Sequence, residues 1–154
     1  MPRLYHVGIT VSDMDRSVAF YRDVVGMKET RLIEAGGLNH DRLTDGRQGT
    51  WIKVVHMLQD GFILQLVQYV SGGGEPLQLH HSRPASPHLS FSVSDVAAKR
   101  KELEARGTIR LGPMVTIGAQ EKWTFYCYDP DGVPVEFIED RKGEAPAWEY
   151  AKRG

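Results

Sequence analysis

Two histidines, a glutamine and a glutamate stand at matching places of an internally repeated chain, and together they could hold a divalent cation. HVGITVSD at residues 6–13 recurs as HLSFSVSD at 88–95, and DGFILQLV at 60–67 recurs as DGVPVEFI at 131–138. The first pair aligns His6 with His88, and the second aligns Gln65 with Glu136. A lone histidine in a strand is usually structural, and a lone glutamate near a strand end is usually solvated. Two unrelated structural histidines, however, need not recur at one repeat position. His6 shares a strand face with Gly8 and Thr10, and His88 with Ser90 and Ser92, so small or polar neighbours leave room for a ligand. Glu136 stands between Val135 and Phe137, where a carboxylate is costly unless it is paired or coordinated. Two imidazoles, one carboxylate and one amide oxygen suit a single divalent cation (Fe, Mn, Co, Ni or Zn) better than a thiolate-seeking metal. The amide of Gln65 is the weakest donor of the set. It either ligates directly or bonds a bound water.

The elements that must position these residues follow from periodicity. Residues 4–11 and 88–93 alternate apolar and polar, which predicts strands. A helix follows each. Ser12 or Asp13 caps the first, with Met14, Val18, Tyr21 and Val25 on its inner face and Gly26 as its stop. Ser94 or Asp95 caps the second, which turns Val96 and Leu103 inward and ends at Gly107. Extended segments at 27–35, 51–58 and 62–70 complete the first copy, and 108–115, 123–128 and 133–139 complete the second. Asp60-Gly61 and Asp131-Gly132 are the hairpin turns between the last two strands of each. The fold class is therefore α+β, with two tandem βαβββ modules at 4–70 and 88–139. A linker at 71–87 and a polar C-terminal tail at 140–154 complete the chain. Residues 36–50 read as a loop within the first module. The three glycines Gly72, Gly73 and Gly74 lack phosphate-loop spacing and read as flexible linker. Packed with pseudo-twofold symmetry, the modules would bring His6, Gln65, His88 and Glu136 together from four strands.

Composition narrows the function classes. The 154 residues carry 19 basic and 20 acidic side chains, a net charge of −1, which lacks the basic field a nucleic-acid binder needs. One cysteine, Cys127, excludes an internal disulfide and reads as a reduced, packed thiol. The uncharged run from Gly61 to Gly74 is too short to span a bilayer, and no signal-peptide pattern opens the chain. The expected setting is the cytoplasm, with a small-molecule substrate and neither nucleic acid nor membrane as partner.

The segments HVGITVSDMDRSVAFYRDVVGM, PHLSFSVSDV and YDPDGVPVEFIE resemble the vicinal oxygen chelate superfamily over residues 4–139. Glyoxalase I, extradiol dioxygenases, methylmalonyl-CoA epimerase and the fosfomycin and bleomycin resistance proteins belong to that group. The resemblance implies paired βαβββ units whose curled sheets form a metal-holding cup, with His6, Gln65, His88 and Glu136 at the family's metal positions. This His, Gln, His, Glu set is similar to that of methylmalonyl-CoA epimerase. The epimerases' second carboxylate has no counterpart in Gly46-Arg47-Gln48-Gly49. The resemblance further implies Glu136 as a base that also ligates metal, and Tyr126 as the next group for proton handling. It implies a homodimer and an anionic or carbonyl-containing substrate with two adjacent oxygens, which Lys53, Arg47 or Lys122 could contact. An isomerase or lyase working by proton transfer is the first expectation. An extradiol ring-cleaving dioxygenase is the second, although its signature wants a histidine that residues 116–122 lack, unless His80 or His81 supplies it from the linker. A non-catalytic binding protein for a small molecule such as an antibiotic is the third.

Overall fold

Alternation along the chain is realised as two open sheets, one in each of two compact units, Met1–His80 and His81–Gly154. The computed structural model describes residues 1–44, 48–118 and 122–139; the polar tail expected at 140–154 lies outside them. The first unit contains β1 (Val7–Thr10), α1 (Met14–Phe20), β2 (Lys28–Glu29), β3 (Ile33–Gly36), α2 (Leu38–Leu43), β4 (Trp51–Gln59) and β5 (Phe62–Ser71). The second contains β6 (Leu89–Val93), α3 (Val96–Arg106), β7 (Leu111–Ile117), β8 (Lys122–Tyr128) and β9 (Pro134–Glu139).

One topology serves both units. In each, the first strand pairs parallel with the last (β1 with β5, β6 with β9), and the last pairs antiparallel with the strand before it (β4, β8). The sheet orders are β1-β5-β4-β2, with β3 also on β4, and β6-β9-β8-β7. Neither order closes on itself. This is the mixed α+β architecture of two βαβββ modules that the repeat predicts.

Each sheet buries one face under its helix. Ile9, Val11, Val55, Met57, Leu64 and Leu66 point towards α1, whose buried stripe is Met14, Ser17 and Phe20. Phe125, Cys127, Val135 and Phe137 point towards Val96 and Leu103 of α3. Period-two side chains make this separation automatic, so the partner positions one residue along are left for the opposite face. Asp13 and Asp95, rather than the serines before them, cap the helices, accepting from Arg16 N at 2.9 Å and Ala98 N at 2.8 Å. In the Asp60-Gly61 turn both residues take positive φ, 49° and 79°, as a two-residue hairpin requires. Asp129 Oδ1 fixes the other hairpin by accepting from Asp131 N and Val133 N. Cys127 is fully buried, and burial pushes its thiol up to about 12, so it stays protonated and inert.

Three local features depart from the sequence reading. The segment 27–35 is two short strands, interrupted where Thr30 N donates to His56 O and Thr30 Oγ1 accepts from His56 N. The first helix ends in a wider π-helical turn, Tyr21–Val25, and buries Tyr21 and Val24, leaving Val18 and Val25 half-buried. The expected loop at 36–50 contains α2, whose Leu38 and Leu43 are exposed and so supply no apolar stripe to read.

That helix is anchored by a carboxylate. Asp41 accepts from Thr50 N at 2.8 Å and from Gly49 N at 3.2 Å. The Thr50 bond first, then the Gly49 bond, holds its pKa below the usual carboxylate value despite the opposing cost of burial. A depressed folded-state pKa contributes stability that is present above the unfolded value, about 3.9, and is lost as pH falls through the folded value. Asp41→Asn is therefore expected to melt below the parent at pH 6, with the gap narrowing at pH 3. Parallel thermal melts test this, and a gap independent of pH would contradict it.

Candidate functional site

In the first unit, β5 holds Gln65 between Leu64 and Leu66, both fully buried, and so turns its amide to the other face. Its ladder neighbours are Gly8 on β1 and His56 on β4. Gln65 Nε2 lies 3.1 Å from His56 Nε2. An amide NH2 can only donate, so in this contact the imidazole nitrogen is the acceptor. Gln65 Oε1 faces the β1 side, where a Cβ built on Gly8 would stand 3.6 Å away; the missing side chain keeps that oxygen uncrowded. The His6 ring lies 6.0 Å from that of His56, tilted by 41°. His6 Nδ1 is buried and finds no hydrogen-bond partner among the described residues.

The second unit repeats the arrangement. Ser90 and Tyr126 flank Glu136 in the ladder as Gly8 and His56 flank Gln65. The His88 and Tyr126 rings are again 6.0 Å apart. Glu136 is 8 % exposed, and its Oε1 accepts from Thr124 Oγ1 at 2.8 Å. Its Oε2 accepts nothing from a described residue. Burial first, then the charge of Glu136 and Tyr128, raises the Tyr126 phenol above its ordinary value. It remains protonated through the physiological range. His81 packs edge-on against Tyr126 at 4.6 Å and Tyr128 at 6.3 Å, while the Arg110 guanidinium lies 3.5 Å over the Tyr128 ring.

The structure thus places His6 with Gln65 in one unit, and His88 and Tyr126 with Glu136 in the other. Both histidines directly precede the first paired residue of their strand. Among the described residues, no three His, Cys, Asp or Glu side chains form a ready metal-binding group. The donors nonetheless fit a divalent cation chemically. His6 Nδ1 is an orphaned buried nitrogen, and Glu136 is a buried carboxylate held by the Thr124 hydroxyl at one oxygen. Of the expected basic contacts, Lys53 is on the face of β4 opposite His56, and Arg47 lies outside the described residues. Lys122 shares the Tyr126 face at the start of β8.

His56 is the residue the sequence reading missed. The signal was present: a two-residue turn at Asp60-Gly61 fixes the register, which pairs position 56 with 65. His81 had no such signal, because a linker residue has no ladder partner from which its neighbour can be counted.

A family model described as the Glyoxalase/Bleomycin resistance protein/Dioxygenase superfamily matches residues 3–137. Lactoylglutathione lyase of Haemophilus influenzae is 26% identical over 142 residues, covering 90% of this chain and 93% of that one. Mouse mitochondrial methylmalonyl-CoA epimerase is 27% identical over 137 residues, covering 87% and 71%. The crystal structure of a fosfomycin resistance protein from Listeria monocytogenes, complexed with Mn(II) and sulfate, superposes with a TM-score of 0.62 at 18% identity, covering 94% and 97%. No described helix is long and apolar enough to cross a membrane.

Proposed function

From the premise that this chain belongs to the glyoxalase/bleomycin resistance protein/dioxygenase superfamily, we propose that it is a divalent-metal-dependent isomerase or lyase moving a proton on a small substrate with adjacent oxygens. The carrying observation is Glu136, a buried carboxylate with one oxygen held by Thr124 and the other bonded by no described residue, paired across the ladder with a protonated Tyr126. The two relatives, one a lyase and one an epimerase, favour the same reaction class.

His6 and Gln65 in the first unit, and His88 and Glu136 in the second, are the residues that would offer donors to a metal. When bound, the cation supplies Lewis-acid stabilisation of the negative charge that develops on a substrate oxygen. Glu136 accepts the migrating proton and returns it. Thr124 sets the carboxylate's orientation through its hydroxyl, and Tyr126 donates its phenolic proton in a hydrogen bond to the substrate oxygen as charge grows. With one anionic donor in the set, a divalent site keeps a charge of about +1, which favours an anionic or enolate-like substrate. A homodimer accompanies this reading.

A second reading is favoured by one observation. His81 lies against Tyr126, where it could supply the histidine that an extradiol ring-cleaving dioxygenase needs. Elemental analysis of protein purified without a His-tag or chelator, beside His88→Ala, tests both. About one divalent metal per chain, lost in the variant, is expected. Iron would move the dioxygenase ahead; manganese, cobalt, nickel or zinc would favour proton transfer. No metal, and no uptake from the divalent series, would overturn the enzyme and leave a binding protein.

A further inference from the structure

We infer that His56 is a positioning residue that chooses which end of the Gln65 amide faces the metal. The inference rests on the proposed donor set. An amide has two unlike ends: Oε1 can bind a cation and Nε2 cannot, and rotation by half a turn exchanges them. At the other strand-end position the problem does not arise, since both oxygens of Glu136 are competent. A glutamine at position 65 therefore needs a neighbour that fixes its rotation, and the ladder places one directly opposite.

His56 supplies what is required. Its Nε2 accepts from Gln65 Nε2 at 3.1 Å, which directs Oε1 towards the β1 side, into the space left by Gly8. The His56 backbone is itself fixed by Thr30, through Thr30 N to His56 O at 2.9 Å and His56 N to Thr30 Oγ1 at 3.2 Å. In the second unit the same ladder position is Tyr126, which makes no hydrogen bond to Glu136 that could orient it; Thr124 does that instead. The acceptor is present in the unit that has the amide.

Mn(II) titration of the full chain, followed by the electron paramagnetic resonance of free Mn(II), tests the assignment. His56→Phe removes the acceptor and keeps a ring; affinity is expected to fall about 10–100-fold, as for other lost partners of a ligand. His56→Gln, whose oxygen can accept from the same amide, is expected to restore most of it. In a Gln65→Glu background, His56→Phe is expected to change little, because a carboxylate has no wrong end. Should phenylalanine not be accommodated, His56→Asn, too short to reach the amide, carries the same expectation. Unchanged Mn(II) affinity in His56→Phe, or an equal loss in both backgrounds, would overturn this inference while leaving the metal reading intact. Failure of the parent chain to bind Mn(II) or any other divalent cation would overturn both.

Discussion

Glu136→Gln is expected to abolish Mn(II) binding and catalysis while leaving the protein folded and at least as stable as its parent. The two halves of that expectation have separate causes. The substitution removes the one anionic donor and the proposed base in a single step; loss of a general base alone typically costs about 10²–10⁴-fold in rate. The fold does not depend on the lost charge. Thr124 Oγ1 lies 2.8 Å from Glu136 Oε1 and also 3.0 Å from the Phe137 carbonyl oxygen, so its single proton has a second acceptor in place. No described residue offers Glu136 a cationic partner within ion-pair distance, and a buried carboxylate without one opposes folding. Thermal melts of metal-free protein should therefore show the variant unchanged or higher. A metal-free variant that melts well below the parent would mean that Glu136 holds the sheet together rather than serving a site. Retained one-to-one Mn(II) binding would remove it from the donor set.

That separation was partly legible in the sequence, and the limit of legibility has a physical reason. Alternation specifies which residues share a face, and it placed Gln65 and Glu136 opposite the buried pairs Leu64/Leu66 and Val135/Phe137 correctly. Helix ends were legible because Asp13, Gly26, Asp95 and Gly107 act through their own backbone neighbourhood. Segments stabilised by contacts distant in sequence were not. The helix α2 has no inward stripe and depends on Asp41 reaching Thr50, and the break between β2 and β3 depends on Thr30 meeting His56.

The site divides along the same line. Counting back from the hairpin turn fixes His56 opposite Gln65, a purely local consequence that a register argument reaches. The contact of His81 with Tyr126 joins a linker to a strand far along the chain, and neither periodicity nor spacing encodes it. The Thr124 bond to Glu136 is intermediate. It is diagonal across an antiparallel pair, one step beyond the directly opposed residues, and becomes evident only once the strand pairing is known.

Phe137→Ala should do the reverse of Glu136→Gln, removing stability and leaving every proposed donor in place. Phe137 is 1 % exposed and sits at the middle of the second sheet, between Phe91 and Phe125 in the ladder. Its ring centroid lies 5.6 Å from that of Phe125 and 6.3 Å from that of Phe91, and Lys99 Nζ caps it at 5.3 Å. Truncation empties the centre of that stack, and a buried Phe→Ala change typically costs about 3–5 kcal/mol, a large share of the roughly 5–15 kcal/mol that holds a domain. Urea denaturation monitored by circular dichroism should show the midpoint falling accordingly. Phe137→Leu, which keeps most of the volume, should lose less than about half as much. The neighbouring position 136 points to the opposite face, so Mn(II) affinity measured where the variant is still folded should stay near the parent value. A destabilisation below about 1 kcal/mol would mean that the second sheet is not organised around these three rings, and the separation of core face from site face would lose its support.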